Sequence, residues 1–259
     1  MSYPWSQGHR FAFSLVIAVE DADTLGPPVA GASATDLQYG LRAGFPRIAD
    51  LLIEYPVKGT FLLDPELLER ESLLGEFIQQ RAHEAAVHAH LPGEVSDRSA
   101  WLRLASERVE RASGKPPAGW RSRGAATTGL HQLLIEGGFR YEMDDRSDDE
   151  PSWHAFGDQR LISLPLATDC SDQRFLDAPA LTPDAWLQYA IDTFDVLYAE
   201  SENAPRMMSL LVHAHIIGRP GRITALEQIL QYASSKDDVL MATRADIAEH
   251  FAAQANFPD

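Results

Sequence analysis

The chain has 259 residues, of which 45% are hydrophobic and 23% are charged, and these values predict one large α/β domain over residues 1–259. The formal net charge of −16 disfavours binding to a phosphate backbone, so we expect no nucleic-acid partner. No apolar run reaches the roughly 20 residues that span a bilayer, and the residues from Met1 to Phe11 lack the basic-then-apolar pattern that is typical of a secretion signal. We therefore expect a cytoplasmic protein without a membrane partner, and the single cysteine, Cys170, fits a reducing compartment.

The first half of the chain alternates predicted strands and helices. Phe11–Val19 predicts a buried strand, whereas residues 22–38 form a Gly/Pro/Ala-rich segment that predicts an irregular loop, a candidate lid or subunit contact. The patterns that follow predict a helix over 41–54, a strand over 57–63, a helix over 66–81, a strand over 84–88, a helix from Ser99 to about Gly114, a strand from Trp120 and a helix over 128–136.

The second half continues the alternation. It contains predicted strands at 139–143, 161–166, 207–212 and 239–243, and predicted helices over 184–200, over 223–232 and from Arg244. Roughly seven strands that alternate with helices predict a parallel (β/α) barrel, with an open doubly wound sheet as the alternative. The sequence lacks GxGxxG, GxxxxGK[ST], CxxC and GxSxG motifs, which disfavours dinucleotide, nucleoside triphosphate, structural zinc and nucleophile-elbow sites.

Three apolar runs end in residues that bind metals or transfer protons. They lead into Glu20-Asp21, into His88-Ala-His90 and into His213-Ala-His215. The carboxyl ends of parallel strands share one face of a sheet or barrel, so these runs predict an active site. Adjacent acids at a strand end point to opposite sides, and histidines two residues apart on an extended backbone point to the same side.

Two arginines follow the fourth predicted strand, in the segment GWRSRG. Arg121 and Arg123 could orient an acidic partner or bind a carbonyl or carboxylate through their planar side chains. Asp149 and Trp153 lie in a segment that could position such an arginine. The acidic run 144–150 is either a solvated loop or the rim of a site, and Trp120 and Trp153 have packing in a core or lid as their alternative.

Five segments resemble one known family. They are AVEDA at 18–22, AHEAAVH at 82–88, PAGWRSRGAATTGLHQLLIEGGFRY at 117–141, DDRSDDEPSW at 144–153 and MMSLLVHAHIIGRPGR at 207–222. Together they resemble the polysaccharide deacetylase (NodB-homology) family, in particular its branch of allantoinase-like and intracellular peptidoglycan-deacetylase-like proteins. The resemblance covers nearly the whole chain. It implies a distorted seven-stranded (β/α) barrel and a homo-oligomer, commonly a homotetramer in this branch.

The resemblance also implies roles for individual residues. Glu20 stands at the position of the family's catalytic base and Asp21 at that of its metal-ligand aspartate. His88 matches the first metal-ligand histidine, Arg121 the arginine that tethers the base, and His213 the catalytic acid.

The chain departs from the family pattern at the metal site. Pro92 occupies the position of the second histidine ligand, and proline has no side-chain ligand atom, whereas His90 is near but out of register. A catalytic zinc site usually has three protein ligands. We therefore expect either no cofactor or a weakly bound divalent metal. Zinc is the favoured ion, and its ligands would be Asp21, His88 and His90.

The family resemblance implies a hydrolase of carbon–nitrogen bonds other than peptide bonds. Its expected substrate is a small molecule with an N-acyl group or a cyclic amide. The alternative is a catalytically inactive barrel that binds a small polar metabolite. The residues expected to contact the substrate are Trp120, Arg123, Asp149, Trp153 and His215.

Overall fold

The computed structural model describes Trp5 and residues 8–25, 32–55, 57–91, 95–124, 129–178 and 180–254. The chain divides into two compact units. Unit 1 comprises residues 1–59 and 167–243, and unit 2 comprises residues 60–166 and 244–259. The single domain over 1–259 stays a prediction. Within the described ranges, no helix is long and apolar enough to cross a membrane.

The described residues form strands and helices that alternate along most of the chain. The strands are β1 Phe11–Val19, β2 Gly59–Leu63, β3 Glu84–Ala89, β4 Gly119–Ser122, β5 Tyr141–Glu142, β6 Ser152–Phe156, β7 Gln159–Ser163, β8 Arg206–His213 and β9 Val239–Met241. The α-helices are α1 Ala22–Leu25, α2 Ala34–Tyr39, α3 Phe45–Glu54, α4 Pro65–Arg70, α5 Ser72–Gln80, α6 Val95–Ser113, α7 Leu130–Glu136, α8 Arg174–Asp177, α9 Pro183–Glu200, α10 Ala214–Ile217, α11 Ile223–Ser234 and α12 Arg244–Gln254. A π-helical turn, Gly40–Gly44, connects α2 to α3.

Unit 1 is built on strand β1. All nine residues of β1 are buried, as expected for an apolar strand covered on both faces. The strand pairs in parallel with β8 from Phe11 opposite Arg206 to Ala18 opposite His213. It also pairs in parallel with β9 near its start. The carboxyl ends of β1 and β8 therefore lie side by side.

Unit 2 contains a mixed sheet. Strands β2, β3, β4, β5 and β7 pair in that order, and each pair is parallel. Strand β6 runs antiparallel to β7, so the two form a hairpin at the edge of the sheet. The sequence pattern did not predict β6, because its residues are half exposed and lack a continuous apolar run.

Two predictions of local structure are wrong. Residues 22–38 are not wholly irregular, since they contain α1 and most of α2. Residues 26–31, which form part of the candidate lid or subunit contact, lie outside the described residues. Helix α2 begins with a capping box, in which the Ser33 hydroxyl accepts from the Asp36 backbone and Asp36 accepts from the Ser33 backbone. The helix predicted over 66–81 is two helices, because Glu71 has a non-helical backbone.

Candidate active site

The carboxyl ends of β1 and β8 bring three predicted site residues of unit 1 together. His213 is the last residue of β8 and lies opposite Ala18, two residues before Glu20. The chain then turns into α10, which carries His215 back so that its Nδ1 is 3.8 Å from Oε2 of Glu20. All three side chains are buried, with exposed fractions of 3–7%. A buried carboxylate and two imidazoles thus lie at adjacent strand ends.

His213 is held by an aspartate that the sequence reasoning missed. Asp172 is fully buried, and its Oδ1 lies 2.7 Å from Nδ1 of His213. Its Oδ2 accepts hydrogen bonds from the backbone N–H groups of His213, at 2.8 Å, and Ile217, at 3.0 Å. A carboxylate at Nδ1 fixes the proton there and orients the ring, so proton exchange with a ligand has to proceed through Nε2.

No pattern in the sequence distinguishes Asp172 from its neighbours. It lies in the polar segment DCSDQ, which also contains Asp169, and neither residue stands directly at the end of a predicted strand. Asp169 is exposed, whereas Asp172 is not. Only the path of the chain brings Asp172 to the end of β8.

His215 has a different environment from His213. Burial lowers the pKa of His215 below its ordinary value, and the neighbouring His213 ring lowers it further, while the carboxylate of Glu20 opposes the shift. The two imidazoles meet edge to face, with centroids 5.8 Å apart. The expectation that both rings project from an extended strand is wrong, because the backbone is helical from Ala214 onward.

Two glycines allow α10 to pack closely enough to place His215. A Cβ atom at Gly40 would lie 2.9 Å from Cβ of His215, and one at Gly44 would lie 2.0 Å from the carbonyl oxygen of Ala214. Contacts this short are not tolerated, so the position of α10 requires glycine, which has no side chain, at both places in the π-helical turn.

Asp21 has a local structural role. Its Oδ1 accepts from the backbone N–H of Thr24, at 3.0 Å, and from the Thr24 hydroxyl, at 2.5 Å. The carboxylate therefore caps the first turn of the chain after β1.

A cavity of about 510 Å³ lies beside His215 in unit 1. Its walls combine apolar side chains with charged ones, and two arginines contribute to it. This volume lies within the range of small-molecule sites, roughly 300–1,000 Å³. The cavity therefore offers space for a ligand next to the buried histidines.

The other predicted histidines and arginines belong to unit 2. His88 is buried in β3 and lies opposite Arg121 in β4, whereas His90 follows the strand and is exposed. Arg123 is buried, and its Nη1 lies 3.6 Å from Oδ2 of Asp64. Arg123 thus has a carboxylate partner within the protein, and its predicted contact with a substrate stays a prediction.

The three remaining predicted contact residues differ in burial. Trp120 is fully buried and packs edge to face on Trp101 and Phe139, so its placement favours the core alternative over contact with a substrate. Asp149 is exposed in the acidic loop. Trp153 lies in β6 of the edge hairpin, where the guanidinium of Arg160 lies 4.6 Å from the ring centroid.

Unit 2 also contains a possible metal-binding triad that the sequence did not predict. One ligand atom each of His131, Glu142 and His154 lies within 4.8 Å of the other two. Glu142 is fully buried, and its Oε1 lies 3.4 Å from Nε2 of His154. Two imidazoles and one carboxylate suit a divalent transition metal. The histidine rings are stacked, however, at 4.7 Å and 17°, so one ring has to turn before both can face one ion.

The metal set implied by the family resemblance does not fit a three-ligand zinc site. Pro92 lies outside the described residues, and as a proline it offers no ligand atom. Oδ1 of Asp21 already accepts two hydrogen bonds, and His90 is exposed beyond the end of β3, away from the register of the missing histidine. Asp21, His88 and His90 therefore do not form the three-ligand set that a catalytic zinc usually needs.

Comparisons with known proteins show what the chain is similar to. No family model matches it. A protein of Schizosaccharomyces pombe named "Putative polysaccharide deacetylase" is 28% identical over 243 residues, which are 84% of this chain and 75% of that protein.

Crystal structures that match over nearly the whole chain include the following two. PuuE allantoinase has a TM-score of 0.85 and 26% identity over 98% of this chain and 94% of its own. A protein of Pseudomonas aeruginosa PAO1 titled "probable Polysaccharide deacetylase" has a TM-score of 0.86 and 27% identity over 98% of this chain and 95% of its own. These similarities confirm the resemblance that the sequence motifs predicted and the α/β fold of the polysaccharide deacetylase type.

Proposed function

We propose that this chain, a relative of polysaccharide deacetylases and of PuuE allantoinase, is a hydrolase of carbon–nitrogen bonds other than peptide bonds. The similarity to proteins named as deacetylases and as an allantoinase supports this reaction class. The observation that carries the proposal is the buried pair of Asp172 and His213, with 2.7 Å between carboxylate and imidazole, at the strand end adjacent to Glu20. The pair has the geometry of an oriented general acid.

The chemistry divides between Glu20 and His213. A water molecule attacks the carbonyl carbon of the amide, Glu20 accepts the proton of the water, and a new C–O bond forms. His213 then donates the proton on Nε2 to the leaving nitrogen as the C–N bond breaks. The carboxylate of Asp172 stabilises the imidazolium before this transfer. Each group of this kind typically contributes roughly 10²–10⁴-fold to the rate.

The distinct environments of the two histidines support this division of roles. Asp172 binds Nδ1 of His213 and orients that ring, whereas burial lowers the pKa of His215 and favours its neutral form. A neutral imidazole beside Glu20 leaves that carboxylate able to accept a proton. Environments that separate two titratable groups in this way are typical of paired acid–base sites.

The proposal extends to features that rest on the family resemblance. We propose that Arg121 orients the catalytic base, that a divalent metal such as zinc binds weakly or not at all, and that the protein works in the cytoplasm as a homotetramer. The buried single thiol of Cys170 is compatible with a reducing compartment. Light scattering coupled to gel filtration measures the oligomeric state, and elemental analysis of the purified protein measures the metal.

The experiment is a turnover assay on a panel of N-acetylated sugars, ureides and cyclic imides, read as release of amine, ammonia or acid. We expect cleavage of at least one compound by the native protein and loss of that cleavage in His213→Gln. A thermal shift by a panel compound without any product would contradict the hydrolase and favour a binding protein, the alternative that the similarity to deacetylases disfavours.

A further inference from the structure

The cavity beside His215 contains two arginines with different surroundings. Nη2 of Arg219 lies 2.7 Å from Oδ1 of Asp36, and its guanidinium lies over the Tyr39 ring at 3.8 Å. The charge of Arg219 is therefore already balanced by a carboxylate.

Arg222 has no carboxylate within ion-pair distance in the described part of unit 1. Its guanidinium lies over the Phe175 ring at 4.5 Å, and its Nη1 donates to the carbonyl oxygen of Ile216 at 3.4 Å, a long bond. A guanidinium has five N–H donors in a planar fork that matches a carboxylate. Arg222 thus brings its positive charge and most of its donors to the wall of the cavity, and the carboxylate of Asp172 acts on that charge only from beyond ion-pair distance.

Partial burial makes this charge more effective. Removal of water lowers the pKa of Arg222, yet a guanidinium stays protonated at neutral pH. A charge in contact with an aromatic face and apolar walls attracts an anion more strongly than one in bulk water does. The chain carries a net charge of −16, so an anionic ligand is repelled elsewhere and depends on a local cation.

His215 connects this cavity to the proposed reacting groups. The residue lines the cavity, and its Nδ1 is also 3.8 Å from the carboxylate of Glu20. A ligand that is anchored at Arg222 and reaches past His215 would approach the ends of β1 and β8. The apolar part of the wall, which includes Leu176 and Leu181, accommodates the carbon skeleton between the two ends.

We propose that Arg222 is the specificity-determining residue of this site and that the substrate carries a carboxylate in addition to the amide that is cleaved. The inference rests on the proposed function for the position of the amide. The substrate class is thus an N-acyl or N-carbamoyl amino acid, or a ureide with a free carboxylate. The carboxylate would form paired hydrogen bonds with Arg222, while Arg219 keeps its bond to Asp36.

The test compares ligands that differ only in the charged group. N-carbamoylglycine is paired with N-carbamoylglycinamide, and N-acetylglycine with N-acetylglycinamide, so each pair exchanges a carboxylate for a neutral amide. Binding is measured by calorimetry on the His213→Gln variant, which separates affinity from turnover. We expect the carboxylate of at least one pair to bind at least about tenfold more tightly than its amide, since an Arg–carboxylate pair is a charge-assisted double hydrogen bond.

Three variants in the same background assign this preference to one residue. Arg222→Gln is expected to remove the tenfold preference, and Arg222→Lys to retain part of it, because charge is kept while the planar fork is lost. Arg174→Gln is the control, since it removes the same charge from an exposed arginine of unit 1 that does not line the cavity. Thermal melting verifies that each variant is folded.

The outcomes separate this inference from the proposed function. Equal affinity within both pairs, no binding of either carboxylate, or an unchanged preference in Arg222→Gln would overturn the role of Arg222. A preference for the carboxylate that depends on Arg222, with no turnover by the native protein of any compound, would sustain the inference and contradict the hydrolase. Turnover of neutral amides without any preference for a carboxylate would sustain the hydrolase and contradict the role of Arg222.

Discussion

Asp172 and His213 are 41 positions apart in the chain, yet an oxygen of one lies 2.7 Å from a ring nitrogen of the other. The same carboxylate binds the backbone N–H groups of His213 and Ile217, so it fixes both the imidazole and the start of α10. Orientation of the proposed acid and the local fold of the strand end therefore depend on one buried side chain.

Replacing this carboxylate with an amide should affect both properties. In Asp172→Asn the side chain keeps its size but no longer favours the imidazolium, so we expect kcat/KM to fall by roughly 10²–10⁴-fold. The buried hydrogen bonds also weaken, so we expect a loss of about 1–3 kcal/mol in the free energy of unfolding. Steady-state kinetics and denaturant melts measure the two effects. Asp169→Asn is the control, because that residue is exposed in the same segment, and an equal loss of activity there would contradict the assignment.

Glu20 and His213 should act as one unit. Glu20→Gln and His213→Gln each remove one proton-transfer step, so we expect each to lower kcat by roughly 10²–10⁴-fold with little change in ligand affinity. The double variant should be little slower than either single one, since both groups serve the same transition state. Rates and binding constants of the three variants test this, and losses that multiply fully would show that the two residues act independently.

Burial of His215 predicts a pH dependence of stability. Its pKa in the folded state is below the ordinary value of 6.5, so the unfolded chain binds a proton more readily than the folded one. The contribution of neutral His215 is complete above about pH 6.5 and is lost as the pH falls toward the lowered pKa. Carboxylates of Glu20, Asp172 and Asp36 oppose this loss, and the charge of His213 adds to it. We expect the unfolding free energy of His215→Asn to fall less between about pH 7 and pH 5 than that of the native protein. Parallel plots of unfolding free energy against pH for the two proteins would refute the contribution of His215.

A methyl group at Gly44 should displace α10. The Cβ atom would lie 2.0 Å from the Ala214 carbonyl oxygen, so the Gly44→Ala backbone has to shift at a cost of roughly 1–3 kcal/mol. Since the shift moves the turn that carries His215, activity should fall as well. Gly221→Ala serves as the control, because no atom lies within 4 Å of a Cβ there. Similar melting temperatures for both variants would be inconsistent with this close contact.

Removal of metal should leave activity largely intact. The family's second histidine position is Pro92, so we expect a chelator to change the rate little. If elemental analysis detects a bound ion, His154→Ala and His88→Ala distinguish the unit 2 triad from the set implied by the family. The prediction would be contradicted if the chelator inactivated the protein fully and one equivalent of zinc restored the activity. If zinc then failed to restore activity in His88→Ala, a working metal site at His88 would be established.

Much of the fold could be predicted, because strands such as Phe11–Val19 are continuous apolar runs whose ends are marked by polar residues. Glu20 and His213 were predicted as site residues in the same way, from the polar residues that follow such runs, and their catalytic roles stay predictions. Asp172 could not be predicted, since its role arises from the path of the polypeptide between β7 and β8 rather than from a local pattern. The spacing of His213 and His215 was misleading, because a helical turn, and not an extended strand, separates the two rings.

The most direct test of the account is hydrolysis in water enriched with oxygen-18, with product analysed by mass spectrometry. The native protein is incubated with the panel compound that it cleaves fastest, beside His213→Gln at equal concentration. The account predicts one oxygen-18 atom in the acid product of the native reaction and almost no product from the variant, because water attacks the carbonyl and His213 protonates the leaving nitrogen. Equal product from both proteins, or no labelled product from either while the ligand still raises the melting temperature, would contradict it.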